Sequence, residues 1–433
     1  MEWHQVLLLN VSLVVLLFCM GMPVSIAFFC VNIVSLWMLM GPDGLILLTN
    51  SIFVSTTNFS LATIPLFLLL GEILFESRAV DIIFDAADKC VGKVRARLLV
   101  VTILVSTVFG ALSGAAMGVA AMLGATILPE MINRGYSKKL SLGAICAGAS
   151  LAPVIPPSVL CIVVGTLANV SIASLLISGV VPGLVLSGLF VAYILIRVKL
   201  NPTMAPDYEV SGVPLKEKIK ALVLALPFGL IIFLILGLIM LGIATPTESA
   251  ATGVVGALFL AALYKRLTFR AIRKSVFVTM RISGMILLIM AASSAFSQIL
   301  AISGAARGVL NVVTHLDISP ALMLIVMNAI PFVLCCFMDQ ISLMMILIPI
   351  YMPIVELMHF DQIWFWLLML INITIGGITP PFGYVLFTLK GASDNVTISE
   401  IFVGIIPFVA LFVLGMVLVA IYPPLATWLP SKF

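Results

Sequence analysis

Charge is scarce in this chain. Only 9% of its 433 residues are Asp, Glu, Lys or Arg, and 63% are apolar, whereas globular domains carry about 25% charged residues. No stretch is long and polar enough to fold as a separate aqueous domain, which excludes a cytoplasmic enzyme and a nucleic-acid reader. A disulfide framework is missing too. Cys19, Cys30, Cys146, Cys161, Cys335 and Cys336 lie in apolar runs and Cys90 in a charged connection, without zinc-ligand or redox spacing; such a thiol behaves as a small hydrophobe. There is no phosphate loop, since Gly143 and Gly148 lack the following Lys-Ser/Thr, and no nucleophile elbow or His-Glu-x-x-His zinc site. Nothing here supports nucleotide hydrolysis or intramembrane catalysis. Met1-Glu2-Trp3-His4 offers no basic signal region, so the first apolar run is expected to stay as a membrane segment.

What the chain has is apolar length. Runs fall at about 5–40, 61–76, 98–131, 140–196, 221–263, 282–302, 321–358, 363–389 and 400–422, and a span needs roughly 20 residues. Several runs are too long for one crossing and must contain turns, hairpins or breaks. Of the 22 Lys and Arg, all but Arg307 and Lys432 fall in Arg78 to Arg97, Arg134 to Lys139, Arg197 to Lys220, Lys265 to Arg281, or at Lys390. In a membrane protein such asymmetry marks the cytoplasmic side, so the net charge of +4 reports orientation rather than an acidic partner. One path satisfies it: about ten full spans plus two re-entrant hairpins, at 98–131 and 321–358, with both termini outside. The fold class is therefore an all-α polytopic membrane protein.

The halves resemble each other at an offset of about 220–230 residues. Gly21-Met22-Pro23 answers to Thr245-Pro246-Thr247, Glu72 and Arg78 to Gln298 and Arg307, Ser113-Gly114 to Asp339, and Pro156-Pro157-Ser158 to Pro380-Pro381-Phe382. An odd number of spans per half inverts the second copy. The expected organisation is a first repeat over 1–200, a cytoplasmic linker over 201–220 and a second repeat over 221–433. Inverted halves of this kind place a transporter's binding site near the midplane.

Ala152-Pro153-Val154-Ile155-Pro156-Pro157-Ser158 interrupts one apolar run, and Gly376-Gly377-Ile378-Thr379-Pro380-Pro381-Phe382-Gly383 another. The prolines remove backbone donors and cannot continue a helix, while lipid offers the freed carbonyls nothing. Broken helices near 152–158 and 376–383 are the expected result, with carbonyl and hydroxyl oxygens for a small cation and half-helix N-termini for an anion. The first hairpin carries Phe109-Gly110-Ala111-Leu112-Ser113-Gly114-Ala115-Ala116, small enough for a tight tip or close packing. In the second, Cys336-Phe337-Met338-Asp339-Gln340 sets a carboxylate among apolar residues; a buried acid in a membrane segment is by default functional, so Asp339 is the leading cation-site candidate, whereas a tip position near the aqueous phase would make it ordinary. Glu72 reads first as structural. Thr245-Pro246-Thr247-Glu248 reads as a capped helix start. His4, His315 and His359 look interfacial or lie in connections.

Ile64-Pro65-Leu66-Phe67 with Gly71, Gly110 to Ala116, Gly135-Tyr136, Ile155-Pro156-Pro157-Ser158, Thr245-Pro246-Thr247-Glu248 and Thr379-Pro380-Pro381 together resemble the large membrane subunit of tripartite ATP-independent periplasmic (TRAP) transporters. The likeness spans nearly the whole chain. It implies a bacterial inner-membrane, elevator-type symporter that uses Na+ as coupling ion, needs no other cofactor, and takes up an organic acid such as a dicarboxylate or sialic acid. It also implies two partners, a soluble periplasmic substrate-binding protein and a small four-helix membrane subunit, besides membrane lipid, and no nucleic acid. Carried onto this sequence, the likeness makes Ser113, Gly114, Pro156, Ser158, Asp339, Thr379 and Pro381 candidate sodium-binding regions. Ser150, Pro157, Gly377 and Pro380 become candidate substrate-binding regions. A stand-alone sodium/dicarboxylate symporter of similar architecture is the alternative; a channel would need a continuous polar lining, which the two isolated breaks do not give.

Overall fold

A computed structural model describes residues 2–77, 79–91, 94–206, 214–315, 318–336, 338–381, 383–393 and 396–433. Met1, Arg78, Phe337 and Phe382, used in the sequence reading, and part of the 201–220 linker lie outside the described residues. Within them the secondary structure is helical, with no strand.

The first half opens with α1 (Trp3–Cys19), α2 (Val24–Met40), α3 (Asp43–Thr56) and α4 (Thr63–Glu76). Next comes a short amphipathic helix, α5 (Ala79–Val91), then a hairpin of α6 (Arg97–Ser113) and α7 (Ala116–Asn133). The interrupted pair α8 (Lys138–Ala149) and α9 (Val159–Leu167) follows, and α10 (Ile172–Ser178) runs into α11 (Val180–Leu200). The second half repeats this order. It has α12 (Leu215–Met240), α13 (Pro246–Leu263), a long α14 (Phe269–Ile302) matching α3 and α4 together, and the amphipathic α15 (Ala305–His315). A hairpin of α16 (Pro320–Leu334) and α17 (Gln340–Leu357), the interrupted pair α18 (Gln362–Gly376) and α19 (Tyr384–Gly391), and α20 (Ile398–Ile421) complete it. Eight helical stretches among the described residues are long and apolar enough to cross a membrane, and shorter apolar helices include α1, α2, α6, α16 and α18. Two inverted repeats, about ten spans and two re-entrant hairpins describe the chain. The sequence reading left 41–60 without a helix; α3 fills most of it.

Local chemistry sets the boundaries. Thr245 caps α13 in a capping box: Glu248 Oε2 accepts from Thr245 N–H at 2.8 Å while Thr245 Oγ1 accepts from Glu248 N–H at 3.3 Å, with Pro246 in the first turn. Thr397 and Glu400 repeat the device at α20. Thr63 and Thr247 hydroxyls meet at 2.5 Å, joining the starts of α4 and α13.

Two groups of helices pack together. In one, α4 lies on α13 and α14, and α14 also packs on α2 and α3. The other holds both hairpins and both broken pairs, with α8 on α20, α6 and α7, and α18 on α16 and α20. The groups meet where α4 touches α6 and α9, and where α14 touches α17 and α9. Along α8 and α20, Gly143 and Gly404 bring the backbones so close that a Cβ at either would strike the other helix's carbonyls, and Lys138 Nζ reaches the Glu400 carboxylate at 2.9 Å. At the base of hairpin 1, Arg97 grips Asp88 of α5 through two bonds of 2.6 and 2.7 Å. Also on α5, the hydrogen bond from Lys89 to Asp85 holds the Lys89 ammonium above its usual range.

Candidate site at two helix breaks

Helix α8 ends at Ala149, and residues 150–158 carry no regular structure before α9 resumes. Every residue from Ser150 to Ser158 is buried. Leu151 O is used twice, by the N–H groups of Val154 and Ile155, while the carbonyls of Ile155, Pro156 and Pro157 accept no hydrogen bond among the described residues. Ser158 holds the far side. Its hydroxyl donates to Pro153 O at 2.6 Å and accepts from Cys161 N–H at 3.2 Å, capping α9. Ser150, by contrast, donates to Cys146 O in the preceding turn, which satisfies its hydroxyl proton on its own helix.

The tip of hairpin 1 covers this break. Gly114 ends α6 in the left-handed region at φ 60°, and a Cβ there would lie 3.1 Å from Pro157 O. Ser113 is buried and its backbone presses on α4, where a Cβ on Gly71 would come within 2.7 Å of Ser113 Cα. Gly110 approaches Ala152 in the same way, at 3.1 Å. Absent side chains let three backbones converge. Ser113, Gly114, Pro156, Pro157 and Ser158 thus share one place, with freed carbonyls in it. Hard oxygen donors of this kind suit a small cation such as Na+.

The second break runs from Gly377 to Gly383. Thr379 Oγ1 donates to Ile375 O at 2.6 Å, Gly383 N–H to Thr379 O at 3.1 Å, and Val385 N–H to Gly377 O at 3.1 Å. Ile378, Pro380 and Pro381 carbonyls accept none among the described residues. Both Pro156-Pro157 and Pro380-Pro381 peptides are cis. Here exposure differs: Pro380 is half-buried and Pro381 is exposed. A cleft of about 370 Å³ opens between α7 and the end of α19 away from the break, lined by Asn133, Lys138 and Ser393 among others.

Asp339 corrects an expectation. It is not enclosed among apolar residues but exposed at the hairpin 2 tip. Its Oδ2 accepts from the N–H groups of Ile341 and Ser342 at 3.1 and 3.2 Å and from Ser342 Oγ at 3.1 Å, so it caps α17. A capped N-terminus satisfies a carboxylate with the helix's own orphan donors. Glu72 is half-buried on α4, close to the Glu76–Lys274 ion pair at 2.6 Å. Sequence reasoning missed Gln340 and Tyr384, which meet at this second break, and the buried pair in which Asn372 Nδ2 donates to Asn328 O at 2.7 Å and Oδ1 at 3.0 Å. Each is a polar side chain in an apolar run, which was signal enough to single them out.

A family model described as tripartite ATP-independent periplasmic transporter, DctM component, matches residues 11–425. The chain belongs to that family. Among its relatives, the permease is 30% identical to the C4-dicarboxylate TRAP transporter large permease protein DctM of Pseudomonas aeruginosa, over 91% of each chain. It is 28% identical to the ectoine TRAP transporter large permease protein TeaC of Halomonas elongata, over 95% of this chain and 96% of the other. With the sialic acid TRAP transporter permease protein SiaT of Haemophilus influenzae it shares 29% identity, over 88% of this chain and 62% of that longer one. The crystal structure of the YdaH transporter of Alcanivorax borkumensis matches the fold with a TM-score of 0.64 at 14% identity, over 90% of this chain and 91% of that one. The permease is a multi-pass inner-membrane protein.

Proposed function

We propose that the permease carries out sodium-coupled uptake of an organic acid, handed over by a periplasmic substrate-binding protein, with a small four-helix membrane subunit bracing its static helices. The observation that carries this reading is the convergence of Ser113, Gly114, Pro156, Pro157 and Ser158 around unpartnered carbonyls at a buried break. One sodium region is Ser113, Gly114, Pro156 and Ser158. The other is Thr379 and Pro381, with Asp339 shaping the tip beside them. Ser150, Pro157, Gly377 and Pro380 are the substrate region, where half-helix N-termini favour a carboxylate. The repeats are bounded at 1–200 and 221–433 around a cytoplasmic linker, both termini are periplasmic, and the group holding the hairpins and breaks moves as the elevator.

Energetics set the coupling. Bringing one negative charge inward against about 100 mV costs about 2.3 kcal/mol, and a hundredfold accumulation costs about 2.8 kcal/mol more. A dianion needs two sodium ions to cancel its charge and a third to gain from the potential; a monoanion needs two. The test is uptake in proteoliposomes holding both membrane subunits, with and without binding protein and sodium gradient, counting charge per substrate. Net inward positive charge and dependence on both are expected. Uptake indifferent to sodium removes the coupling; uptake without the binding protein points to a stand-alone symporter.

A further inference from the structure

The two breaks are not held in the same way, and the difference centres on one amide. Gln340 is the first residue of α17 and is 6% exposed. Its Nε2 donates to Ile373 O of α18 at 2.9 Å, and its Oε1 accepts from Tyr384 Oη of α19 at 3.0 Å. In a continuing helix Ile373 O would accept from the Gly377 N–H four residues on. That N–H instead turns to Thr374 O, so the break itself frees Ile373 O, and Gln340 takes it. Tyr384 is the first residue after the break. A single side chain from hairpin 2 therefore ties together both half-helices.

Gly377 makes the arrangement possible. A Cβ there would lie 2.6 Å from the Tyr384 ring and 3.0 Å from Gln340 Nε2, so the ring and the amide lie directly over the broken backbone. The same glycine gives its carbonyl to Val385 N–H. Gln340, by its position beside the Asp339 cap, is fixed to the start of α17. Among the described residues, no side chain ties the two half-helices of the first break in this way. The positions 224 residues earlier are Ala116, Ala149 and Leu160, and Ala149 O is satisfied locally by Ala152 N–H at 3.2 Å.

We propose that Gln340 and Tyr384 are positioning residues for sodium coupling: the Ile373–Gln340–Tyr384 chain latches hairpin 2 to the second break and fixes the spacing of its cation-facing oxygens around Thr379 and Pro381. This rests on the sodium reading above. The latch acts through geometry and touches neither ion nor substrate. Losing it leaves Ile373 O unpartnered in an apolar surrounding and lets the two half-helices separate, so the second cation region loses its shape while the sealed first one does not.

The experiment compares Gln340→Ala, Gln340→Glu and Tyr384→Phe with the natural protein in proteoliposomes containing the small subunit, supplied with loaded binding protein. Half-saturation is measured separately for sodium and for the loaded binding protein. Expected is a rise of about tenfold in the sodium concentration for half-maximal uptake in Gln340→Ala, the scale of one buried hydrogen bond lost, with little change for the binding protein. Gln340→Glu donates to Ile373 O only when protonated, so it behaves like Gln340→Ala at high pH and recovers as the pH falls. Tyr384→Phe shifts less, and the Gln340→Ala/Tyr384→Phe double variant is no worse than Gln340→Ala alone. If Gln340→Ala fails to insert, Tyr384→Phe, which removes one oxygen, carries the same test. Sodium half-saturation unchanged in variants of a sodium-activated protein overturns the latch alone. So does a fall in maximal rate with both half-saturations unmoved. Natural protein indifferent to sodium overturns the coupling reading and the latch with it.

Discussion

The two helix breaks begin from nearly the same sequence device and end in different states. Around Pro156-Pro157 every residue is buried, and glycines at 71, 110 and 114 draw three backbones into contact. Around Pro380-Pro381 one proline is exposed and side chains of Gln340 and Tyr384 do the holding. A diproline can interrupt a membrane helix in either setting, provided something accounts for the freed backbone. Closure by glycine leaves the bare carbonyls enclosed, whereas closure by side chains leaves them beside an opening.

Substitutions can break or sharpen that contrast. The largest effect is expected from Gly114→Val. A side chain there meets Pro157 O in a left-handed backbone, and strain plus overpacking of about 3 kcal/mol lowers uptake roughly 100-fold. Uptake normalised to inserted protein measures it, and near-normal rates would mean the tip does not seal the break. Next, Pro157→Ala should impair uptake more than Pro381→Ala, since only the former sits in closed surroundings; equal losses would erase the distinction. Smaller again is Ser158→Ala, which removes the α9 cap and costs about 1 kcal/mol, read as a lowered unfolding midpoint in detergent. The residue at the start of α19 is Gly383, which makes no side-chain cap bond, so Gly383→Ala would act through crowding of Gly377 O instead. The smallest effect belongs to Asp339→Asn. An amide oxygen still accepts from Ile341 and Ser342 N–H, so the unfolding midpoint should hold and sodium half-saturation should move less than about threefold. A tenfold shift would make Asp339 a direct ligand.

Both hairpins, both breaks and the capping box at Thr245 were legible because each is a local rule: small residues at a tip, prolines in an apolar run, Thr-Pro-x-Glu at a helix start. Two features were not. Helix α3, with Thr49, Ser51 and Thr56, falls between the apolar runs at 5–40 and 61–76. In the structure each hydroxyl donates to the carbonyl four residues back, Leu45, Leu47 and Ile52 respectively, and the helix hides its own polarity. The surroundings of Asp339 were misread, and Gln340 beside it missed, for the opposite reason. Apolar neighbours in sequence suggested that Asp339 was enclosed, yet the hairpin turn lifts it out and turns the next residue inward. Periodicity along one element cannot tell which side of a tip faces another chain segment 33 or 44 residues away.

The contact of Gly143 with Gly404 has a mechanical meaning. Helix α8 comes from the first repeat and α20 from the second, and backbone against backbone leaves no side-chain cushion on which one could slide past the other. The Lys138–Glu400 pair pins the same seam at its end. On the elevator reading proposed above, any translation across the bilayer would carry these parts of both repeats as one stiff block, and compliance would reside in the connecting arms.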